Sequence, residues 1–268
     1  MSNEITIWNK VMSAALKLPG VAVDREKFLR SALKDYCVGS HINAAIANGT
    51  AGVVPNKVLD KLATNIIKSH TKKVTILSAA MGVPGGWATL GTVPSDIAQF
   101  YYHVFVVAQK LAYIYGYPDM RDENGHLSQG ACNLLTVFVG VMTGVAVAAK
   151  TLQELGKRLQ REFLKRLPEY ALSNGVLQVT VRKIAKKVGM EISKNGISEG
   201  LGKVIPVVSG LISGALTYRT FKPQAQRLGF VLHNSMLQLP QHSSASQEEK
   251  VEDIDCQELP PDLPSKQQ

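Results

Sequence analysis

Cysteine is scarce in this chain. Cys37, Cys132 and Cys256 are the only three in 268 residues, too few and too scattered for a disulfide framework or a zinc site. Cys132 reads as a small buried residue. The N-terminus, Met1 to Lys10, has no basic segment leading into an apolar stretch and no small-residue cleavage site. No secretory signal is visible there, and the chain is expected to stay in the reducing cytosol unless another route exports it. Aromatic residues are also few, at 6%. With no helix-turn-helix, zinc module or aromatic platform beside its cations, the chain is not expected to bind nucleic acid specifically. Strand-like alternation is missing, and so is any repeat of fixed period. Long apolar runs are missing as well. The densest, Leu134 to Ala149, falls between the about 10–14 residues of a core helix and the about 20 of a membrane span.

Charge is abundant and unevenly placed. The net charge is +9. From Gln241 onward the chain carries seven acids (Glu248, Glu249, Glu252, Asp253, Asp255, Glu258, Asp262) and only two lysines, Lys250 and Lys266. The remainder holds 28 basic and 14 acidic residues and is therefore +14. A body that basic favours anionic partners: anionic lipid, nucleic acid or an acidic protein. The tail is polar, acidic and proline-bearing, the composition of a disordered segment. The expected organisation is one helical domain over residues 1–240 and a disordered acidic tail over 241–268.

Helical period dominates the body. Ile5, Trp8, Val11, Met12, Ala15 and Leu16 form a first stripe, closed by Pro19-Gly20. Asp24 is a good N-cap for a helix bearing Phe28, Leu29, Ala32 and Leu33. Ile42 to Val54 is small and apolar. Val58, Leu59, Leu62, Ile66 and Ile67 mark another helix, flanked by Lys57, Lys61, Lys68, Lys72 and Lys73. A glycine-rich corner, Met81 to Gly91, precedes a helix starting near Pro94, and Asp122 to Gly125 reads as a turn. The uncharged run Leu127 to Ala149 leads into a basic amphipathic helix, Lys150 to Arg166. A second uncharged run, Val204 to Tyr218, leads into Arg219, Lys222 and Arg227. The fold class expected is an all-α, multi-helix bundle with small-residue, glycine-rich central helices. Whether the uncharged runs are core or membrane helices stays open at this level.

Leu90-Gly-Thr-Val-Pro-Ser-Asp-Ile-Ala-Gln-Phe-Tyr-Tyr-His103, followed by Ala108-Gln-Lys-Leu-Ala-Tyr-Ile-Tyr-Gly-Tyr-Pro-Asp119, resembles the signature of the bacterial EcsC protein family. The shared features are a Pro-x-Asp helix start and a helix closing on Tyr-Gly-Tyr. Val204 to Arg227 is similar to that family's small-residue helix and following basic helix. The resemblance spans roughly Val74 to Phe230 and rests mostly on apolar and glycine patterns. It implies a helical, bacterial, membrane-associated protein linked to an ABC exporter, and no reaction. The acidic tail is not a recognised feature of the family.

Four sets of residues are candidates for function. The first is cationic: Lys157, Arg158, Arg161, Lys165, Arg166, Arg182, Lys183, Lys186 and Lys187. Cations flanking uncharged segments are placed to meet anionic headgroups, at about 1 kcal/mol per residue near the surface; otherwise they form a solvated face. The second is a polar stripe, Asp96, Gln99, His103 and Lys110, spaced along one helix side. Asp96 and His103 are seven residues apart, roughly 10 Å along the axis, too far for a direct hydrogen bond. The bland reading is an acid favouring the helix N-terminus and a partly buried histidine. The third pairs Gly140 with Gly144 and Gly210 with Gly214, small-xxx-small spacings that allow close helix approach in lipid or in a soluble core. The fourth holds motif fragments that fail. Gly196 to Gly200 matches a nucleophile elbow but lacks the preceding strand. Gly202-Lys203 lacks the phosphate-loop spacing. Asp122, Asn124 and Gly125 lack the first and last calcium ligands.

No catalytic residue, metal or cofactor is expected. The leading expectation is a non-enzymatic accessory protein, cytoplasmic and peripheral to or partly inserted in the inner membrane. Its partner would be an anionic membrane surface or a membrane protein complex. One alternative is an enzyme or small-ligand binder using Asp96 and His103. Another is a membrane-disrupting effector restrained by its tail. Sequence sets no oligomeric state.

Overall fold

A computed structural model of the protein describes residues 3–81, 89–90, 93–162, 174–194 and 206–237. These residues form an all-α bundle with one minimal hairpin. In chain order the helices are α1 (Asn3–Leu16), α2 (Arg25–Leu33), α3 (Gly39–Asn48) and α4 (Asn56–Met81). After the two-residue strands β1 (Thr89–Leu90) and β2 (Val93–Pro94) come α5 (Ser95–Ile114), α6 (Gln129–Met142), α7 (Ala146–Glu162), α8 (Asn174–Lys194) and α9 (Pro206–Leu237). Among the described residues, the antiparallel hairpin, with Thr89 opposite Pro94, and an isolated bridge between Arg121 and Leu127 depart from purely helical expectation.

The helix starts follow from local chemistry. Asp24 caps α2 by accepting from the Lys27 N–H at 2.9 Å, and Ser128 caps α6 by accepting from the Ala131 N–H at 3.1 Å. Each satisfies one of the N–H groups that a first helical turn leaves without an intrahelical partner. Asp122 forms the expected turn, its Oδ1 accepting from the backbone of Asn124 and His126.

Helix α5 lies at the centre. Val104 to Ala108 and Leu111 to Tyr115 are buried on every side of it, against α1, α2, α4, α6 and α9. A helix apolar all round must sit inside, because no face of it is suited to water. Helix α9 lies along α4 and also touches α5, α6 and α7. It continues unbroken from the second uncharged run into its basic segment, with Pro223 inside it.

The first uncharged run is a core element. Leu134 to Met142 of α6 are buried without interruption. The run does not continue as one helix. Gly144 adopts φ +80, the Gly144 N–H donates to Val141 O and the Val145 N–H donates to Gly140 O at 2.8 Å. This pair of bonds is a glycine-terminated helix end. Arg227 Nη1 adds a donor to Met142 O at 2.7 Å. The chain then restarts as α7. Among the described residues, no helix is long and apolar enough to cross a membrane.

The glycine pair 140/144 therefore divides into two roles. A Cβ on Gly140 would sit 2.7 Å from Thr180 Cγ2 and 2.8 Å from Ala148 Cβ, so this glycine lets α7 and α8 close on α6. Gly144 is exposed and serves the turn, not a packing face; the expected small-xxx-small face is corrected to a single close contact at Gly140. Gly210 and Gly214 lie in α9, with surroundings outside the described residues.

Candidate functional site

Two polar clusters flank α5, and they differ in kind. The first ties the start of α2 to the loop after α5. Arg121 donates to Asp119 Oδ2 at 2.9 Å and pairs with Asp24 Oδ2 at 3.0 Å. The buried Tyr113 hydroxyl donates toward Val23 O at 3.2 Å and accepts the Met120 N–H. Half-buried Arg25 donates to Tyr117 O at 3.0 Å, Ile46 O at 2.8 Å and Ala45 O at 3.4 Å. Burial alone would raise the Asp24 carboxyl, but the Lys27 N–H and the Arg121 charge bring it below its ordinary value. Acids and bases alternate here and each finds a partner. Such a cluster fixes loops; it has no spare valence for a ligand.

The second cluster lies between α4 and α5. The apolar stripe of α4, Leu59, Leu62, Ile67 and Val74, turns His70 inward at the same spacing. His70 is 5% exposed and His103 of α5 is 9% exposed. Their rings meet edge to face, centroids 5.6 Å apart. Lys110 Nζ lies 3.2 Å from His70 Nε2 and 5.7 Å from the centre of the Phe28 ring. Lys73, exposed on α4, completes the group electrostatically.

Among the described residues, the charges that act on these imidazoles come from Lys110 and Lys73, with His103 also acting on His70. Burial first, then Lys110, His103 and Lys73, bring the His70 imidazolium pKa down to about 3. Burial, then Lys73 and Lys110, bring His103 down to about 4. Burial and Lys73 also lower Lys110. Both imidazoles are consequently neutral at physiological pH. A charged Lys110 has donors and no lone pair, so in that state His70 Nε2 accepts from it and the ring proton sits on Nδ1. Among the described residues that nitrogen has no hydrogen-bond partner. Five buried side-chain polar atoms lack a partner among the described residues, and two of them are the Nδ1 atoms of these touching rings.

The polar stripe expected on α5 is thus brought together in part. His103 and Lys110 converge, not on each other but on His70. Gln99 is half-buried on the same helix, and the side chain of Asp96 lies outside the described residues. His70 was legible only as an apolar-stripe position occupied by a histidine, and Lys73 only as one lysine among many.

A further Asp-His-Tyr group is structural. His233 Nδ1 of α9 lies 2.8 Å from Asp60 Oδ1 of α4, and the Tyr115 hydroxyl of α5 donates to the same oxygen at 3.3 Å. It pins three helices with a carboxylate that is half exposed.

The cationic set is displayed on α7 and α8. Lys157, Arg182, Lys183 and Lys186 are exposed, while Leu152, Leu155, Ile184 and Ala185 of the same helices are buried. The two helices pack on each other and both on α6. The side chains of Arg158, Arg161 and Lys187, and residues Lys165 and Arg166 altogether, lie outside the described residues, as do Gly196 to Gly200 and Gly202-Lys203. Among the described residues no group of three or more His, Cys, Asp or Glu side chains could hold a metal. No family model matches the chain, and neither does any curated protein or solved structure.

Proposed function

We propose that the protein is a non-enzymatic accessory protein that docks peripherally on an anionic phospholipid surface through the outward face of α7 and α8. One observation carries the reading: these packed helices bury apolar residues in the bundle, α7 against α6 and α9 and α8 against α1 and α6, and turn Lys157, Arg182, Lys183 and Lys186 to the exterior. Between Gly175 and Lys186 α8 carries no acid, and Val179, 43% exposed, stands one turn from Arg182 and Lys183. Cations with an apolar residue among them suit the headgroup layer, where each cation contributes about 1 kcal/mol. The resemblance to the EcsC family supports the same placement at a bacterial inner membrane. Depth is limited to the surface, because the uncharged α6 is already used as core.

Flotation with liposomes containing phosphatidylglycerol tests this. The full chain is expected to float at low salt and to be released as salt screens the charges over about a Debye length. The triple reversal R182E/K183E/K186E is expected to stay at the bottom while retaining its fold. A full chain that ignores anionic liposomes at low salt, or a reversal variant that floats as well as the parent, overturns the reading.

A further inference from the structure

We infer that the junction of α4 and α5, where Lys110 and Lys73 act on the buried imidazoles of His70 and His103, each unpartnered at Nδ1, is a binding site for a phosphoryl-type oxyanion. The inference does not rest on the α7–α8 face.

The geometry is a gradient from water to core. Lys73 is exposed, Lys110 is half-buried, and the two imidazoles are more than nine-tenths buried. The four come from two neighbouring helices, His70 and Lys73 from α4 and His103 and Lys110 from α5. Three deficits coincide. The first is of acceptors: the proton placed on His70 Nδ1 by the Lys110 contact at 3.2 Å has nowhere to go. A buried polar group in that state costs about 1–3 kcal/mol. The second is of negative charge, since Lys110 and Lys73 repel one another and no described carboxylate answers them. The third is of hydrogen-bond closure at His103, whose Nδ1 is equally unpartnered. The charge-balanced cluster on the other side of α5 shows that this fold can supply carboxylates when it needs them.

One kind of ligand answers all three deficits. An oxyanion brings negative charge between the lysines and several acceptor oxygens within reach of ring N–H groups. Lysine binds phosphate as a point charge and needs no bidentate geometry. A divalent metal does the opposite: it adds positive charge to two ammonium groups and finds only two imidazoles. A neutral ligand would leave the lysine repulsion in place. Phosphoryl oxygens can come from a soluble phosphate compound or from a lipid headgroup. The site chemistry is the same for both.

The test is an imidazole proton–nitrogen NMR pH titration of the full chain, repeated with and without each probe across the range in which it stays folded. The probes are inorganic phosphate, and vesicles of phosphatidic acid in phosphatidylcholine, each compared with sodium chloride of equal ionic strength. The expected result is that phosphate or phosphatidic acid moves the signals of both His70 and His103 and raises their pKa values by at least about one unit, as an adjacent anion must. Movement with phosphate identifies a soluble ligand, and movement with phosphatidic acid vesicles alone identifies a headgroup; either supports the site. K110M is expected to weaken the response about tenfold, the loss of one charge-assisted bond, while still floating with anionic liposomes. R182E/K183E/K186E is expected to keep the phosphate response. Signals that stay still in phosphate and in phosphatidic acid, or that move equally in chloride, overturn the inference. So does a response to zinc alone. The wild-type titration decides the matter even where K110M folds poorly.

Discussion

Two polar clusters share one helix and obey opposite rules. On the α2 side of α5, Asp24, Arg25, Asp119 and Arg121 alternate in sign and spend their hydrogen bonds on each other and on backbone carbonyls. On the α4 side, His70, His103, Lys73 and Lys110 share one sign or none, and two ring nitrogens go unpartnered. The first arrangement maximises satisfaction and so stabilises the fold. The second withholds it, at a free-energy cost that packing alone does not require. Teaching by contrast, the pair separates polar residues kept for folding from polar residues kept for something the chain meets.

Acid titration should separate them most strongly. His70 and His103 have folded pKa values of about 3 and about 4, below the unfolded 6.5. The unfolded chain therefore binds more protons than the folded one between those values. Stability is full above pH 6.5 and falls as pH drops, by about 1.4 kcal/mol per unit for each imidazole while it is offset. Asp24 behaves differently: its lowered carboxyl contributes stability above its ordinary pKa of 3.8 and loses it only as pH falls below. Chemical denaturation at stepped pH is expected to show a loss between about pH 6.5 and 4 that H70F/H103F flattens. A double variant with an unchanged acid limb contradicts the contrast.

Breaking the balanced cluster should cost stability at every pH. Arg25→Met strands the carbonyls of Tyr117, Ile46 and Ala45. The expected loss is about 2–3 kcal/mol, read as a lower denaturant midpoint with unchanged slope. The same kind of change in the unbalanced cluster should have the opposite sign. His103→Phe keeps a planar aromatic ring, slightly larger, and removes an orphan nitrogen, so it is expected to gain up to about 1 kcal/mol while losing the phosphate response. Destabilisation of H103F by an amount comparable to R25M would mean that the histidine is an ordinary structural residue.

Much of the fold was legible because its signals are local. Asp24 stands where an N-cap must, and the stripes of α1, α2, α4 and α5 repeat at helical spacing; the Ser128 cap emerged only with the structure. The uncharged run was ambiguous for a physical reason: core and membrane helices select the same composition, and only the neighbours of α6 decide between them. Gly140 and Gly144 look alike in sequence, yet one meets Thr180 and Ala148 while the other turns the chain; the distinction depends on φ and on a helix forty residues away. The candidate site was half visible. His103 and Lys110 were singled out on α5, but His70 comes from α4, and the contact that joins them spans 40 residues. Periodicity places a residue on a face; it does not say which face it will meet.

The tautomer of His70 tests the central claim most directly. A long-range proton–nitrogen spectrum of the imidazoles at about pH 7 distinguishes imidazolium, Nδ1–H and Nε2–H forms. The expected result is two neutral rings, with the His70 proton on Nδ1. An imidazolium at either position, or a His70 ring protonated on Nε2, would contradict a base-only cluster that holds a buried donor in reserve.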